Sequence, residues 1–221
     1  MKRVTIIPWG LTVFLSLFFI STAVQAAPPS QIIFQKDVSY KEIEGARSSY
    51  QGGKVDVLEM LWYGCQTCYV IQADLEHWID GAGQSISYRR MPAVTEDNMM
   101  LLARAFYAAE VLGVMNKTHK PLFAAIHESQ RQMKTEADVV EFFEEQGVAA
   151  KDFKRALNSN YVSGKLRRAK MMSDRYGIHG APSVIVDGKY LVDPSMVSSP
   201  RRFVEVIDFL VNKVRTTVRG E

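Results

Sequence analysis

Cys65 and Cys68 are the two cysteines of a 221-residue chain, and Gln66 and Thr67 separate them. On a helix this spacing brings both sulfurs onto one turn, within reach of a disulfide bond. Val55 to Tyr63, just before the pair, is a short apolar run between Gly53 and Gly64, which predicts a central strand. Tyr69 to Ile79, just after it, carries Val70, Ile71, Leu75, Trp78 and Ile79 at helical spacing, and Gly81-Ala82-Gly83 ends the pattern. The pair therefore sits at a strand-to-helix junction. Free N–H groups and the positive dipole end of the helix favour a thiolate at Cys65 there. Cys68 lies deeper in the helix and is expected to be the buried partner. That asymmetry suits thiol–disulfide exchange, with a mixed disulfide at Cys65 resolved by attack from Cys68.

Other uses of two cysteines fit less well. A structural disulfide closing so small a loop would add little stability. A Cys-only zinc site needs four thiolates, and His77, His119, His127 and His179 are scattered without paired ligand spacing. Covalent haem attachment needs a histidine directly after Cys68, where Tyr69 stands. The chemistry read here is redox exchange, with no bound cofactor and no metal. Glu59, six residues before Cys65, is a lone carboxyl in the apolar strand. It is expected to be desolvated, and either held neutral or used as a proton relay to Cys68. The alternative is that it faces a solvated side of the strand.

The elements that must position these residues follow from patterning. Ile32 to Phe34 and Val38 to Tyr40 suggest short edge structure. Ser85 to Met91 reads as a second strand. From Asp97 to Tyr176 the texture is helical: Asn98–Gly113, Pro121–Gln132 with Pro121 in its first turn, a capping box at Thr135–Asp138 opening a helix to Gln146, Ala150–Leu157 and Val162–Arg175. Ser183–Val186 and Lys189–Val192 flank Asp187-Gly188 as a hairpin, and Ser199-Pro200 opens a last amphipathic helix. Met99-Met100 and Met171-Met172 read as core, Arg167-Arg168 as a solvated helix face, and Asn116-Lys117-Thr118 as a helix cap. Trp62 and Tyr63 fit either an apolar peptide-binding surface or simple packing, and His179 reads as a loop residue.

Composition bounds the remainder. Hydrophobic residues make up 47% and charged residues 23%, the balance of a folded protein. The net charge of +3 is too weak and scattered to predict nucleic-acid binding. Lys2 and Arg3, the apolar run Val4–Ile20 and the small residues ending at Ala26 predict a secretory signal peptide over residues 1–26. An uncleaved anchor is the alternative, since Val4–Val24 is just long enough to span a bilayer. Cleavage leaves 221 − 26 = 195 residues, enough to bury a core without staples.

At these residues the chain resembles the thioredoxin superfamily and, within it, the DsbA family of exported bacterial thiol oxidases. The resemblance is carried by Leu58 to Cys68, by the helical block, and by Gly177 to Tyr190, which is similar to the family's Gly-x-x-Gly-x-Pro loop with its strand and hairpin. It implies an α/β thioredoxin fold, residues 27–96 and 177–221, interrupted by an inserted helical domain, residues 97–176. Pro182 matches the proline whose preceding bond is cis, and backbone groups of Ala181 would then face Cys65 and pair with an extended substrate segment. Glu59 matches the family's buried acid. The implied activity is introduction of disulfides into reduced, unfolded exported proteins in the periplasm. The implied reoxidant is a DsbB-type quinone-linked membrane partner, and the chain is expected to be a monomer. A reductase or isomerase, or a holdase for unfolded exported proteins, are the alternatives; Ala27–Lys54, 28 residues, leaves no room for an isomerase's dimerisation domain.

One departure matters. Well-studied members carry Pro-His between the cysteines, whereas Gln66 and Thr67 are both uncharged. A couple less oxidising than the Pro-His enzymes is the expected outcome, and equilibration of the Cys65–Cys68 pair with glutathione buffers measures it.

Overall fold

The computed structural model describes residues 34–50 and 53–220. The expected signal segment and Ile32-Ile33 lie outside the described residues. Five strands form one sheet in the order β1-β5-β4-β2-β3. They are β1 Lys41–Glu42, β2 Val55–Leu61, β3 Ile86–Pro92, β4 Ser183–Val186 and β5 Tyr190–Val192. β2 and β3 are parallel, so a crossover must join them, and α1 (Gln66–Ala82) is that crossover. β4 runs antiparallel to β2 and forms a hairpin with β5. The hairpin turn uses Asp187 at φ 56° and Gly188 at φ 68°, the left-handed pair that a two-residue turn between twisted strands requires. Asp187 also accepts bonds from Ser48 Oγ (2.8 Å) and Ser49 N (2.9 Å), tying the preceding loop to the turn.

Between β3 and β4 the chain runs through α2 (Met100–Val111), α3 (Met115–His127), α4 (Glu136–Glu145), α5 (Ala150–Leu157) and α6 (Asn160–Arg175). α7 (Pro200–Arg219) closes the described chain. The two faces of β2 explain its continuous apolar sequence. Side chains alternate across a strand, so Val55 and Val57 point to one face and Leu58 and Met60 to the other. The first face packs with Ile71 and Leu75 of α1 and Phe203, Val206 and Leu210 of α7. The second joins a core continuous with Phe106, Phe123, Phe143 and Phe153 of the helical segment. Both faces are covered, as a central strand of this kind requires.

Several expectations shift. The edge strand is Lys41–Glu42 rather than Val38–Tyr40; Val38 is exposed, and Tyr40 packs edge-on against Tyr190. α3 begins at Met115, so Pro121 lies inside it rather than in its first turn, and Asn116-Lys117-Thr118 is helix, not a cap. The helix was hidden because its buried stripe is Thr118, His119, Leu122 and Phe123, half of it polar. α3 also stops at His127, short of Gln132, and Gln130 then turns with φ 54°. The methionine pairs divide: Met99 is buried and Met100 exposed, while Met171 is exposed and Met172 half-buried. Neighbouring helical residues project in different directions, so a pair cannot place both members on one core face. α4 starts as expected, with Thr135 capping Asp138 N and the Asp138 carboxylate accepting from Thr135 N.

Phe143 and Phe153 stack at 3.9 Å between ring centroids, and both are fully buried. Phe153→Ala is expected to lower unfolding free energy by about 3–5 kcal/mol, read from urea midpoints, through lost burial and the cavity left behind.

Candidate active site

β2 and β4 are antiparallel with Met60 opposite Ser183, so the end of β2 lies beside the start of β4. That register brings the segment before β4 against the segment after β2, across more than a hundred residues of sequence. The Ala181–Pro182 bond is cis, and the Ala181 carbonyl oxygen accepts from Cys65 Sγ at 3.1 Å. Gly64 has no room for a side chain: a Cβ there would stand 2.4 Å from the Trp62 ring. The chain can thus turn closely over Trp62 and enter α1.

Cys65 is the N-cap of α1, and its sulfur accepts from Cys68 N at 3.0 Å. No acidic residue stands in the first turn of α1 to oppose the helix dipole. Hydrogen bonds from the Cys68 thiol, and from the backbone N–H groups of Cys68 and Thr67, hold the Cys65 thiol below its ordinary range despite its partial burial. Cys68 differs in every respect. It is fully buried, and burial pushes its thiol far up. Both cysteines are free thiols, Cys65 half-buried and Cys68 buried, while Gln66 and Thr67 are exposed.

Glu59 is fully buried, so the solvated-face alternative does not hold. The expectation of a lone carboxyl also gives way. Glu59 accepts from Gln72 Nε2 (2.9 Å), from Arg90 Nε (3.0 Å) and from the Tyr88 hydroxyl. The reason is register and helix face together. Arg90 is the direct neighbour of Glu59 on β3, and Gln72 lies on the buried stripe of α1 with Cys68, Ile71 and Leu75. Sequence reading missed Gln72 and Arg90; a glutamine on an otherwise apolar stripe was the available signal.

The network extends into α3. Gln72 Nε2 also donates to Cys68 O (3.2 Å), and Gln72 Oε1 lies 3.3 Å from His119 Nε2. His119 Nδ1 lies 2.9 Å from the Tyr63 hydroxyl. Burial holds His119 at a pKa of about 3, so its ring is neutral at ordinary pH. One arrangement satisfies every group: Tyr63 donates to Nδ1, and Nε2–H donates to Gln72. Tyr63 is accordingly packed, against Phe106 and Phe123, rather than part of an exposed surface. His127, eight residues on, lies beside Gln66, while His179 is exposed.

A dithiol at a helix N-terminus, with one accessible low-pKa sulfur, one buried sulfur and a proline loop closing over the first, defines a thiol–disulfide oxidoreductase built on a thioredoxin fold with a helical insertion. Residues 54–204 match the DSBA-like thioredoxin domain. The chain belongs to this DsbA-like family. The thiol:disulfide interchange protein DsbA of Burkholderia cepacia is 33% identical over 208 residues, covering 92% of this chain and 95% of that relative. The DsbA of Azotobacter vinelandii is 29% identical over 201 residues, covering 91% and 93%. The crystal structure of Pseudomonas aeruginosa DsbA superposes with a TM-score of 0.78 at 26% identity, covering 84% of this chain and 97% of that one.

The neutral buried His119 makes stability depend on pH. Its folded pKa of about 3 lies below the ordinary 6.5, so the unfolded chain binds a proton that the folded chain refuses between those values. The stability this group gives is present above the ordinary value and is lost as pH falls toward the folded one. Between about pH 6.5 and 4.5 the loss from this group is expected to be on the order of 2 kcal/mol. Urea unfolding of His119→Asn should retain less of that acid-side slope than the unsubstituted protein.

Proposed function

We propose that this protein is an exported thiol oxidase that donates its Cys65–Cys68 disulfide to reduced, newly translocated proteins. The observation that carries the reading is the contrast between the two thiols, one half-buried with a lowered pKa and the other buried with a raised one. A substrate thiolate attacks Cys65 Sγ. The S–S bond breaks, its electron pair leaves on the Cys68 sulfur, and that sulfur takes up a proton because a buried thiolate is costly. The substrate's second thiolate then attacks its own sulfur in the mixed disulfide and releases Cys65 as a thiolate. The substrate dithiol has lost two electrons and two protons, one proton going to Cys68 and one to solvent.

In this reading Cys65 and Cys68 are the catalytic pair. Glu59 serves proton exchange beneath Cys68, and Gln72 ties it to the backbone carbonyl of that residue. Ala181 and Pro182 border the place where an extended substrate backbone docks beside Cys65, and Gln66 and Thr67 set the thiolate's surroundings. Residues 1–26 act as a signal for export to the periplasm, residues 97–176 form the inserted helical domain, and a DsbB-type membrane partner reoxidises the pair. The protein acts as a monomer without a bound cofactor.

Cys65→Ser is expected to abolish disulfide formation in a reduced model substrate, followed by thiol titration. Cys68→Ser cannot form the intramolecular disulfide and is expected to lose oxidation too. Mixed with a substrate that already carries a disulfide, it should retain a mixed disulfide at Cys65 on a non-reducing gel, because the buried thiol that would resolve it is gone. Suppression of substrate aggregation with no disulfide formation, equal in the unsubstituted protein and Cys65→Ser, would point to a holdase instead.

A further inference from the structure

The inserted helices bring a histidine to the redox motif itself. His127, the last residue of α3, is bonded at both ring nitrogens: Nε2 lies 2.8 Å from the Tyr63 carbonyl oxygen and Nδ1 lies 3.0 Å from Gln66 Oε1. Tyr63 and Gln66 stand on either side of Gly64-Cys65, so the ring brackets the reactive cysteine. Stacking holds it there, on Tyr69 at 5.1 Å and 14° and on Phe123 at 6.0 Å and 29°.

The chemistry of the two partners assigns the protons. A carbonyl oxygen only accepts, so Nε2 must carry its hydrogen whatever the charge of the ring. The tautomer of the neutral ring is therefore fixed, and Nδ1 is the atom that faces Gln66. Its partner is a carboxamide, which accepts from a protonated Nδ1 through Oε1 or, turned over, donates to an unprotonated one through its NH2. The bracket is satisfied in either state, and in the charged state it sets a cation beside the first turn of α1.

We propose that His127 is a positioning residue that stabilises the Cys65 thiolate across the Gln66 side chain, supplying from the helical insertion the charge that the Gln66-Thr67 dipeptide lacks. When the disulfide is reduced, its S–S bond breaks and Cys65 is left as the thiolate. The reduced form then gains an attraction between that thiolate and the His127 imidazolium that the disulfide form lacks, and this favours oxidation of the substrate. The ring touches Tyr69 and Phe123 and the Tyr63 carbonyl. The titratable residues on the surrounding elements are Cys65 and Tyr69 on the α1 side, Tyr63 after β2, His119 and Lys120 on α3, and Glu128 just past its end. The Tyr69 hydroxyl donates to Glu128, and Lys120 pairs with Glu76, so these two neighbouring charges are already engaged.

The inference rests on the oxidase reading, and its test separates the two. His127→Gln can still donate to the Tyr63 carbonyl but carries no charge. Two readouts apply to the full exported chain: the pH profile of Cys65 alkylation by iodoacetamide, and equilibration with glutathione. In His127→Gln the thiolate profile should move to higher pH, and the glutathione equilibrium should move about tenfold toward the disulfide, about 30 mV for a two-electron couple. Gln66→Leu, at an exposed position, should give part of the same shift, and the double variant should show less than the sum. Unchanged thiolate profile and equilibrium in a folded His127→Gln would overturn the proposal. If that variant does not fold, an unchanged profile in Gln66→Leu overturns it. Failure of the unsubstituted protein to oxidise substrate would instead sink the oxidase reading, while the alkylation profiles would still decide the role of His127.

Discussion

A carboxylate with no access to water sits at the centre of the sheet, and much of the structure is arranged around its needs. Burying Glu59 without partners would cost more than a single domain readily bears. Its acceptors are met by three groups from two neighbouring elements: Arg90 and Tyr88 from the adjacent strand and Gln72 from the crossover helix. Each bond fixes a relative position. The strand partners hold the β2–β3 register, and Gln72 fixes the rotation of α1 over the sheet. That rotation turns Cys68 inward and leaves Cys65 at the rim.

The two sulfurs are chemically alike in sequence and unlike in place. Cys65 sits at a helix end, where unpaired N–H groups converge on it, and opposite the Ala181 carbonyl. Cys68, one turn later, is buried in the apolar core, its thiol bonded to Cys65 and its backbone carbonyl held by Gln72. Position along one helical turn is enough to lower one thiol and raise the other. The helical insertion is more than an appendage to this arrangement. Its α3 supplies His119 to the buried network and His127 to the rim, so the redox site is built by both parts of the chain.

The core of this was legible before any coordinates. The β2 run, the Cys-x-x-Cys junction, the capping box of α4 and the Asp187-Gly188 turn are local signals. Each depends on chemistry within a few residues, and each appears where expected. The start of α3 was not legible, because Thr118 and His119 look polar until a partner surface buries them and Tyr63 and Val114 accept or supply their bonds. Glu59 was recognised as unusual, but its partners were out of sight. They come from 13, 29 and 31 residues away, through a helix face and a strand register that sequence alone does not set.

The sequence by itself determined that there is one pair of thiols, that it stands at a strand-to-helix junction, and that one member lies deeper than the other. Those are consequences of spacing and of helix geometry, which operate over a single turn. Only the tertiary structure decided which groups surround the pair: the Ala181 carbonyl, the Gln72–His119–Tyr63 chain and the His127 bracket. These contacts join residues up to 116 positions apart, and they exist only once the antiparallel β2–β4 pairing and the docking of α3 bring distant segments to one place.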